Sequence, residues 1–243
     1  MPALYDTIGI DYAQLRKPDP RIAAQINRAL GSARTVLNVG AGAGSYEPAD
    51  RDVVALEPSA EMISQRLAGS APAIQGSAGS MPFPDQSFDA VMGVLTIHHW
   101  PDQQQGLREM CRVARERVVL LTFDPAARPW LTDYLPELAE LDEADMPSLE
   151  KLAEWLGSIT VEPVLVPRDC TDGFLYAYWG RPAAYLDPRI RKGSSSFWKI
   201  QRADAGFSRL AEDLRSGAWE QRYGSLLEQE NYDAGYRLVV SLR

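Results

Sequence analysis

Two groups of residues in this chain have types and spacings suited to chemistry. The first is the turn Gly40-Ala41-Gly42-Ala43-Gly44, which follows the apolar run Val36-Leu37-Asn38-Val39 and is itself followed by Val53-Val54-Ala55-Leu56-Glu57. Glycines carry no Cβ, so this turn can take positive φ and bring backbone N–H groups close to a ligand. A carboxylate at the carboxyl edge of a strand, where Glu57 falls, can accept hydrogen bonds from both hydroxyls of a ribose. Together they read as a nucleoside site. The second group is His98-His99, the only histidines of the chain, just beyond the apolar run of residues 88–95. Imidazole is suited to proton removal near neutral pH, and ligands of open parallel sheets bind beyond the strand ends. The competing reading is that the histidines cap the strand and fix the helix that follows.

Glycine spacing separates two nucleoside ligands. A dinucleotide site has G-x-G-x-x-G, whose third glycine lets the next helix pack closely with its N-terminus towards a pyrophosphate. Ser45 stands at that third position, which disfavours NAD. S-adenosylmethionine has no pyrophosphate to cradle, and G-x-G-x-G suffices for it.

Four ordered blocks carry a family resemblance: residues 36–44, residues 53–59, residues 76–89 (Gly76-Ser77-Ala78-Gly79-Ser80-Met81-Pro82-Phe83-Pro84-Asp85 with Ser87-Phe88-Asp89), and residues 94–100. With these the chain resembles the class I S-adenosylmethionine-dependent methyltransferases of the type 11, ubiquinone/menaquinone-biosynthesis-like group, closely over residues 1–123 and loosely beyond. The resemblance implies a Rossmann-like α/β fold, a doubly wound seven-stranded mostly parallel sheet, with S-adenosyl-L-methionine as donor. It places Gly40, Ala41 and Gly42 at the methionine portion, Glu57 at the ribose, and Pro58 and Met62 at the adenine. Ser77 and Ala78 stand where relatives have Asp-Ala facing the adenine amine, and Leu95 joins the cofactor side. Residues 5–16 resemble a lid helix in which Arg16 pairs with the methionine carboxylate and Tyr12 lies near the sulfonium. His98 is the candidate base. Tyr5, His99, Trp100, Phe123, Trp130 and Trp179 are candidates for the acceptor pocket, since such sites are mostly apolar with a few polar groups. Core packing competes for each of these aromatics.

The elements that must position these residues can be read from periodicity. Asp19 as N-cap, Pro20 at the first position, Ile22, Ile26 and Leu30 four apart, and Gly31 as stop predict a helix over 20–30. Strands are expected at 35–39 and 52–57. Only residues 45–51 remain for the crossover helix between them, so that helix is a turn or two at most. Ser59 caps a helix running to about Leu67, with Met62, Ile63 and Leu67 towards the sheet. Strands at 72–75, 88–95 and 117–123 and an amphipathic helix over 101–115 complete a doubly wound pattern. After Asp124 the pattern loosens over residues 125–146. A helix at 148–156, a strand at 161–166, a helix at 204–215 and a last strand at 236–242 follow. The division expected is an N-terminal lid and helix over 1–31, a cofactor-binding core over 32–124, and a remainder over 125–243. That remainder carries a helical substrate cap, about residues 168–232, inserted between the last two strands.

Composition narrows the partners. The chain of 243 residues has a formal charge of −8 and an apolar fraction of 45%. That acidity argues against nucleic acid, which asks for a basic face. No run of eighteen apolar residues exists and the N-terminus is not signal-like, so no membrane partner and a cytoplasmic location are expected. Cys111 and Cys170 fit no disulfide framework and no zinc spacing, and two histidines cannot make a multi-histidine site, so no metal is expected. The function expected is methyl transfer to a small-molecule oxygen, nitrogen or carbon nucleophile, in bacterial secondary metabolism. Rivals are an NAD-dependent oxidoreductase and a protein that binds S-adenosylmethionine without methylating.

Overall fold

Seven strands form one sheet in the order β3-β2-β1-β4-β5-β9-β6, in a computed structural model that describes residues 15–243. Strands β1 (Thr35–Val39), β2 (Asp52–Glu57), β3 (Ala73–Gln75), β4 (Phe88–Val94) and β5 (Ala114–Phe123) are parallel. The last strand, β9 (Tyr236–Leu242), inserts antiparallel between β5 and β6 (Ile159–Pro163). This is the doubly wound, mostly parallel sheet expected. The order reverses between β1 and β4, where an open sheet leaves a crevice at the carboxyl ends.

Alternation along the central strands feeds two cores. Ala90 and Met92 of β4 and Val119, Leu121 and Phe123 of β5 pack on one face with helix α1 (Pro20–Ala29) and residues after 124. Val91, Val118 and Leu120 face the other side, against α3 (Gln103–Val113) and α5 (Leu149–Leu156). Helix α1 starts as its sequence dictates: the Asp19 side chain accepts from Arg21 N, and Pro20 follows.

Residues 40–51, between β1 and β2, contain no helix. Side chains from elsewhere brace this crossover. Arg66 donates to both Glu47 oxygens, to the Gly42 carbonyl and to the Ala71 carbonyl. The Arg66 and Glu47 side chains are 6% and 10% exposed, so each would be left as a buried charge without the other. Asn38 on β1 also donates to Glu47, and Arg51 grips the carbonyls of Asn27, Gly31 and Ala33.

Three expectations are corrected. Helix α2 is only Ala60–Ser64, and Leu67 is 80% exposed rather than turned to the sheet, because the chain leaves helix before it and bends at Gly69 with φ 89°. The loosened stretch after Asp124 contains α4 (Pro136–Asp145). Its acidic sequence hides the periodicity, since only Leu138 and Asp142 are buried. The strand expected at 161–166 splits into β6 and a separate β7 (Val166–Pro167), which pairs with β8 (Asn231–Tyr232). That two-stranded ribbon pins the two ends of the insertion together. Between them lie α6 (Pro188–Arg191), α7 (Ser196–Lys199), α8 (Ala203–Ser216) and α9 (Ala218–Tyr223), with short 3-10 turns.

Candidate active site

The glycine turn and Glu57 meet at the carboxyl ends of β1 and β2. Gly40, Gly42 and Gly44 all have positive φ, at 66°, 51° and 96°. At Gly40 space is as decisive as conformation, because a Cβ there would lie 1.9 Å from Thr96 Oγ1. The turn therefore sits directly on Thr96, two residues beyond the end of β4. Glu57 Oε2 accepts from Gly42 N at 2.8 Å and Oε1 from Ser59 N at 2.9 Å. Two backbone donors thus hold a carboxylate that is only 5% exposed beside the turn.

The remaining cofactor candidates surround this corner. Met62 is buried, with its methyl 3.2 Å from where a Gly42 Cβ would lie. Ala78 is buried, whereas Pro58 and Ser77 are exposed, and the Pro58 carbonyl accepts from Gln75. Tyr5 and Tyr12 lie outside the described residues.

A cavity opens beyond the ends of β4, β5 and β9. Leu95 and His98 line it from β4, Phe123 from β5 and Tyr236 from β9, a pair in register across the sheet. Arg16, Asp142 and Met146, and residues 174–176 and 194–196 complete it. Leu95 has φ 50°, a conformation that costs a branched residue about 1–3 kcal/mol and marks sites where side-chain direction is imposed. Its N–H is held by the Leu121 carbonyl at 2.8 Å.

Arg16 faces a carboxylate of the protein itself. Its Nε donates to Asp172 Oδ1 at 2.6 Å and a terminal nitrogen donates to Oδ2 at 3.1 Å. Asp172 is 1% exposed and also accepts from Tyr46 Oη and its neighbour's amide, Gly173 N. Burial and this carboxylate keep the Tyr46 proton on, well above the usual phenol range.

The two histidine rings lie against each other, centroids 3.8 Å apart. Burial, then the positive charges of Lys199 and Arg16, lower His98 to about 3. Burial and His98 lower His99 well below its ordinary value. His98 is thus a neutral imidazole, and its buried Nδ1 makes no hydrogen bond among the described residues. Opposite in behaviour is Asp142, where burial raises the carboxyl to about 6 against the lowering effect of a hydrogen bond from Tyr176 Oη at 2.8 Å.

Of the other acceptor-pocket candidates among the described residues, His99, Trp100, Trp130 and Trp179 do not line the cavity. Trp130 donates to the Trp179 carbonyl and Trp179 to that of Val166, and both are nearly fully buried. Trp100 donates to Thr96 Oγ1, packed against Gly106, where a Cβ would lie 2.5 Å from its ring. Sequence reasoning missed Asp142, Asp172 and residues 194–196. The one available signal was Asp142, four residues after Leu138 and on the same helix side.

Comparisons with known proteins agree with this geometry. Residues 37–122 match the family described as Methyltransferase domain. A solved structure from Anabaena variabilis, provisionally described as a methyltransferase from an antibiotic biosynthesis pathway, is 34% identical. The match covers 94% of this chain and 99% of that one, with a TM-score of 0.87. The chain belongs to the class I S-adenosylmethionine-dependent methyltransferases. Curated relatives include YcgJ of Bacillus subtilis, an uncharacterised methyltransferase 28% identical over 66% of this chain and 65% of its own length. A demethylmenaquinone methyltransferase of Mycobacterium tuberculosis is 27% identical over 62% of this chain and 70% of its own. The chain thus spans less than two thirds of the first curated relative it matches. Membership of this family sets the NAD reading aside, and the family's donor is S-adenosyl-L-methionine. The residues present fit it: a turn at which a Gly40 Cβ would collide with Thr96, and beside that turn a carboxylate held by two backbone donors. No helix among the described residues is long and apolar enough to cross a membrane, and no cluster of three metal-ligating side chains occurs among them.

Proposed function

We propose that this chain transfers a methyl group from S-adenosylmethionine to a small-molecule oxygen, nitrogen or carbon nucleophile, within bacterial secondary metabolism. The observation that carries the reading is Glu57, held by Gly42 N and Ser59 N beside the glycine turn at the carboxyl ends of β1 and β2. The antibiotic-pathway description of the Anabaena protein, similar over nearly its whole length, supports the pathway.

When bound, S-adenosylmethionine supplies an activated methyl on a positively charged sulfur. Glu57 binds the ribose hydroxyls, Met62 and Ala78 pack on the adenine, and Pro58 and Ser77 border it. Gly40, Ala41 and Gly42 offer backbone to the methionine portion. Leu95, held in its imposed conformation, forms the wall between donor and acceptor. Phe123 packs against the acceptor. His98 contacts it through Nδ1, and because burial leaves its ring too weak a base to take up a second proton near neutral pH, it acts by hydrogen bonding and alignment. Residues 168–232 act as the cap that excludes water, with Arg16 fastening the segment before α1 to it through Asp172.

Incubation of the protein with S-adenosylmethionine labelled in its methyl group and a protein-free extract of the producing cells tests this. Label should move into a small organic product. Label that stays on the donor while donor binding is intact favours a binding protein that does not methylate.

A further inference from the structure

Among the five acids of α4, Asp142 alone turns inward. Glu137 pairs with Arg202, Glu143 with Arg128 and Asp145 with Lys199, while Glu140 is exposed. Asp142 is 5% exposed, lines the cavity, and has no ion-pair partner among the described residues. Its Oδ2 accepts from Tyr176 Oη at 2.8 Å, and its Oδ1 accepts no hydrogen bond among them. A buried carboxylate satisfied by a neutral phenol on one oxygen is a costly feature, and such features persist where a ligand supplies the missing donor. The surrounding groups are Tyr176, Tyr236, Arg16 and His98, which line the same cavity, and Arg128 and Asp145 nearby in charge. None of them donates to Oδ1.

We propose that Asp142 receives the acceptor's nucleophile: Oδ1 accepts the N–H or O–H hydrogen bond and takes the proton, with Tyr176 as the positioning residue. The acceptor is therefore an amine or a hydroxyl compound. Its heteroatom lone pair forms the bond to the methyl carbon, the carbon–sulfur bond breaks with its electron pair kept on sulfur, and the proton from the heteroatom passes to Asp142. The carboxyl's proton affinity, raised by burial, suits this transfer better than an ordinary aspartate's would. The inference rests on the methyl-transfer reading of the site and deepens it by naming the base and the acceptor class.

Sinefungin carries an amine-bearing carbon in place of the sulfonium and its methyl, so its amine points where the nucleophile must sit. Calorimetry with sinefungin and S-adenosylhomocysteine as probes reads the contact. The wild type should bind sinefungin about tenfold more tightly at about pH 7.5, a preference of the size expected for a charge-assisted hydrogen bond. Asp142→Asn should reduce that preference to about twofold or less while keeping its affinity for S-adenosylhomocysteine. Near pH 5 the preference should vanish in the wild type, and in Tyr176→Phe it should vanish at a higher pH, because the hydrogen bond favours the ionised carboxylate. An equal preference in wild type and Asp142→Asn overturns the inference, as does an equal loss of both compounds in the variant. A wild type that binds neither compound overturns the methyl-donor reading itself, a result distinct from both.

Discussion

Arg16 and Asp172, 156 positions apart in sequence, meet in a two-pronged ion pair with the carboxylate 1% exposed. Tyr46, from the crossover between β1 and β2, donates to the same carboxylate. Three remote segments therefore share one buried anion: the entry to the domain, the wall of the glycine turn, and the insertion. Removing one partner of such a pair leaves an unpaired buried charge and costs about 3–5 kcal/mol. Arg16→Ala should show that loss in urea unfolding, and Asp172→Asn, which keeps an oxygen for Tyr46, a smaller one. A loss near zero for Arg16→Ala would show that the tie does not hold the segments together.

The Glu47–Arg66 brace stands where a crossover helix is missing, and one of its bonds ends on the Gly42 carbonyl. Arg66→Ala should weaken S-adenosylhomocysteine binding by about tenfold through the glycine turn. Arg66→Lys should not restore it, because an ammonium cannot reproduce a planar fork that spans Glu47 and two carbonyls. Calorimetry on the two variants decides this, and a Lys variant at wild-type affinity would count against it.

His98 is lowered from 6.5 to about 3 in the folded chain. Below about pH 6.5 the unfolded chain binds a proton that the folded chain refuses, so stability present above that pH is lost as the solution is acidified. The slope from one such histidine is about 1.4 kcal/mol per pH unit. His98→Gln should flatten the loss between about pH 6.5 and 5 in thermal melts followed by calorimetry. An unchanged slope would mean that His98 titrates normally.

Asp142 gives the opposite sign. Its folded value, about 6, exceeds the ordinary value of 3.8, so the unfolded chain releases the proton first and stability falls as pH rises between them. At neutral pH the ionised group therefore opposes folding by about 1–3 kcal/mol. Asp142→Asn should be more stable than wild type above about pH 6 and lose that advantage towards pH 4, in urea unfolding at the two pH values. A variant less stable at both would show Asp142 to be structural.

Much of this was legible because it is local. Asp19, Pro20 and Gly31 frame α1, the apolar runs give β1, β2 and β4, and the short spacing from Gly44 to Asp52 limits any crossover helix to a turn or two, of which the structure forms none. The glycine turn and Glu57 could be paired because each states its backbone need in its residue type. Helix α4 was not legible, since its inward positions are Leu138 and an aspartate, which breaks the apolar period. Nor was the Arg16–Asp172 tie, which only the insertion's return brings together. Trp130 and Trp179 illustrate the same limit: an aromatic suits a pocket and a core equally, and each instead hydrogen-bonds a backbone carbonyl in the packed interior.

The central claim is that Glu57 beside the glycine turn holds the ribose of S-adenosylmethionine. Calorimetric titration of S-adenosylhomocysteine into wild type and Glu57→Ala tests it most directly. The wild type should bind, and the variant should lose about a hundredfold in affinity, the size expected for removing charged hydrogen bonds to two hydroxyls. Equal affinity in the two proteins, or none in the folded wild type, would contradict it.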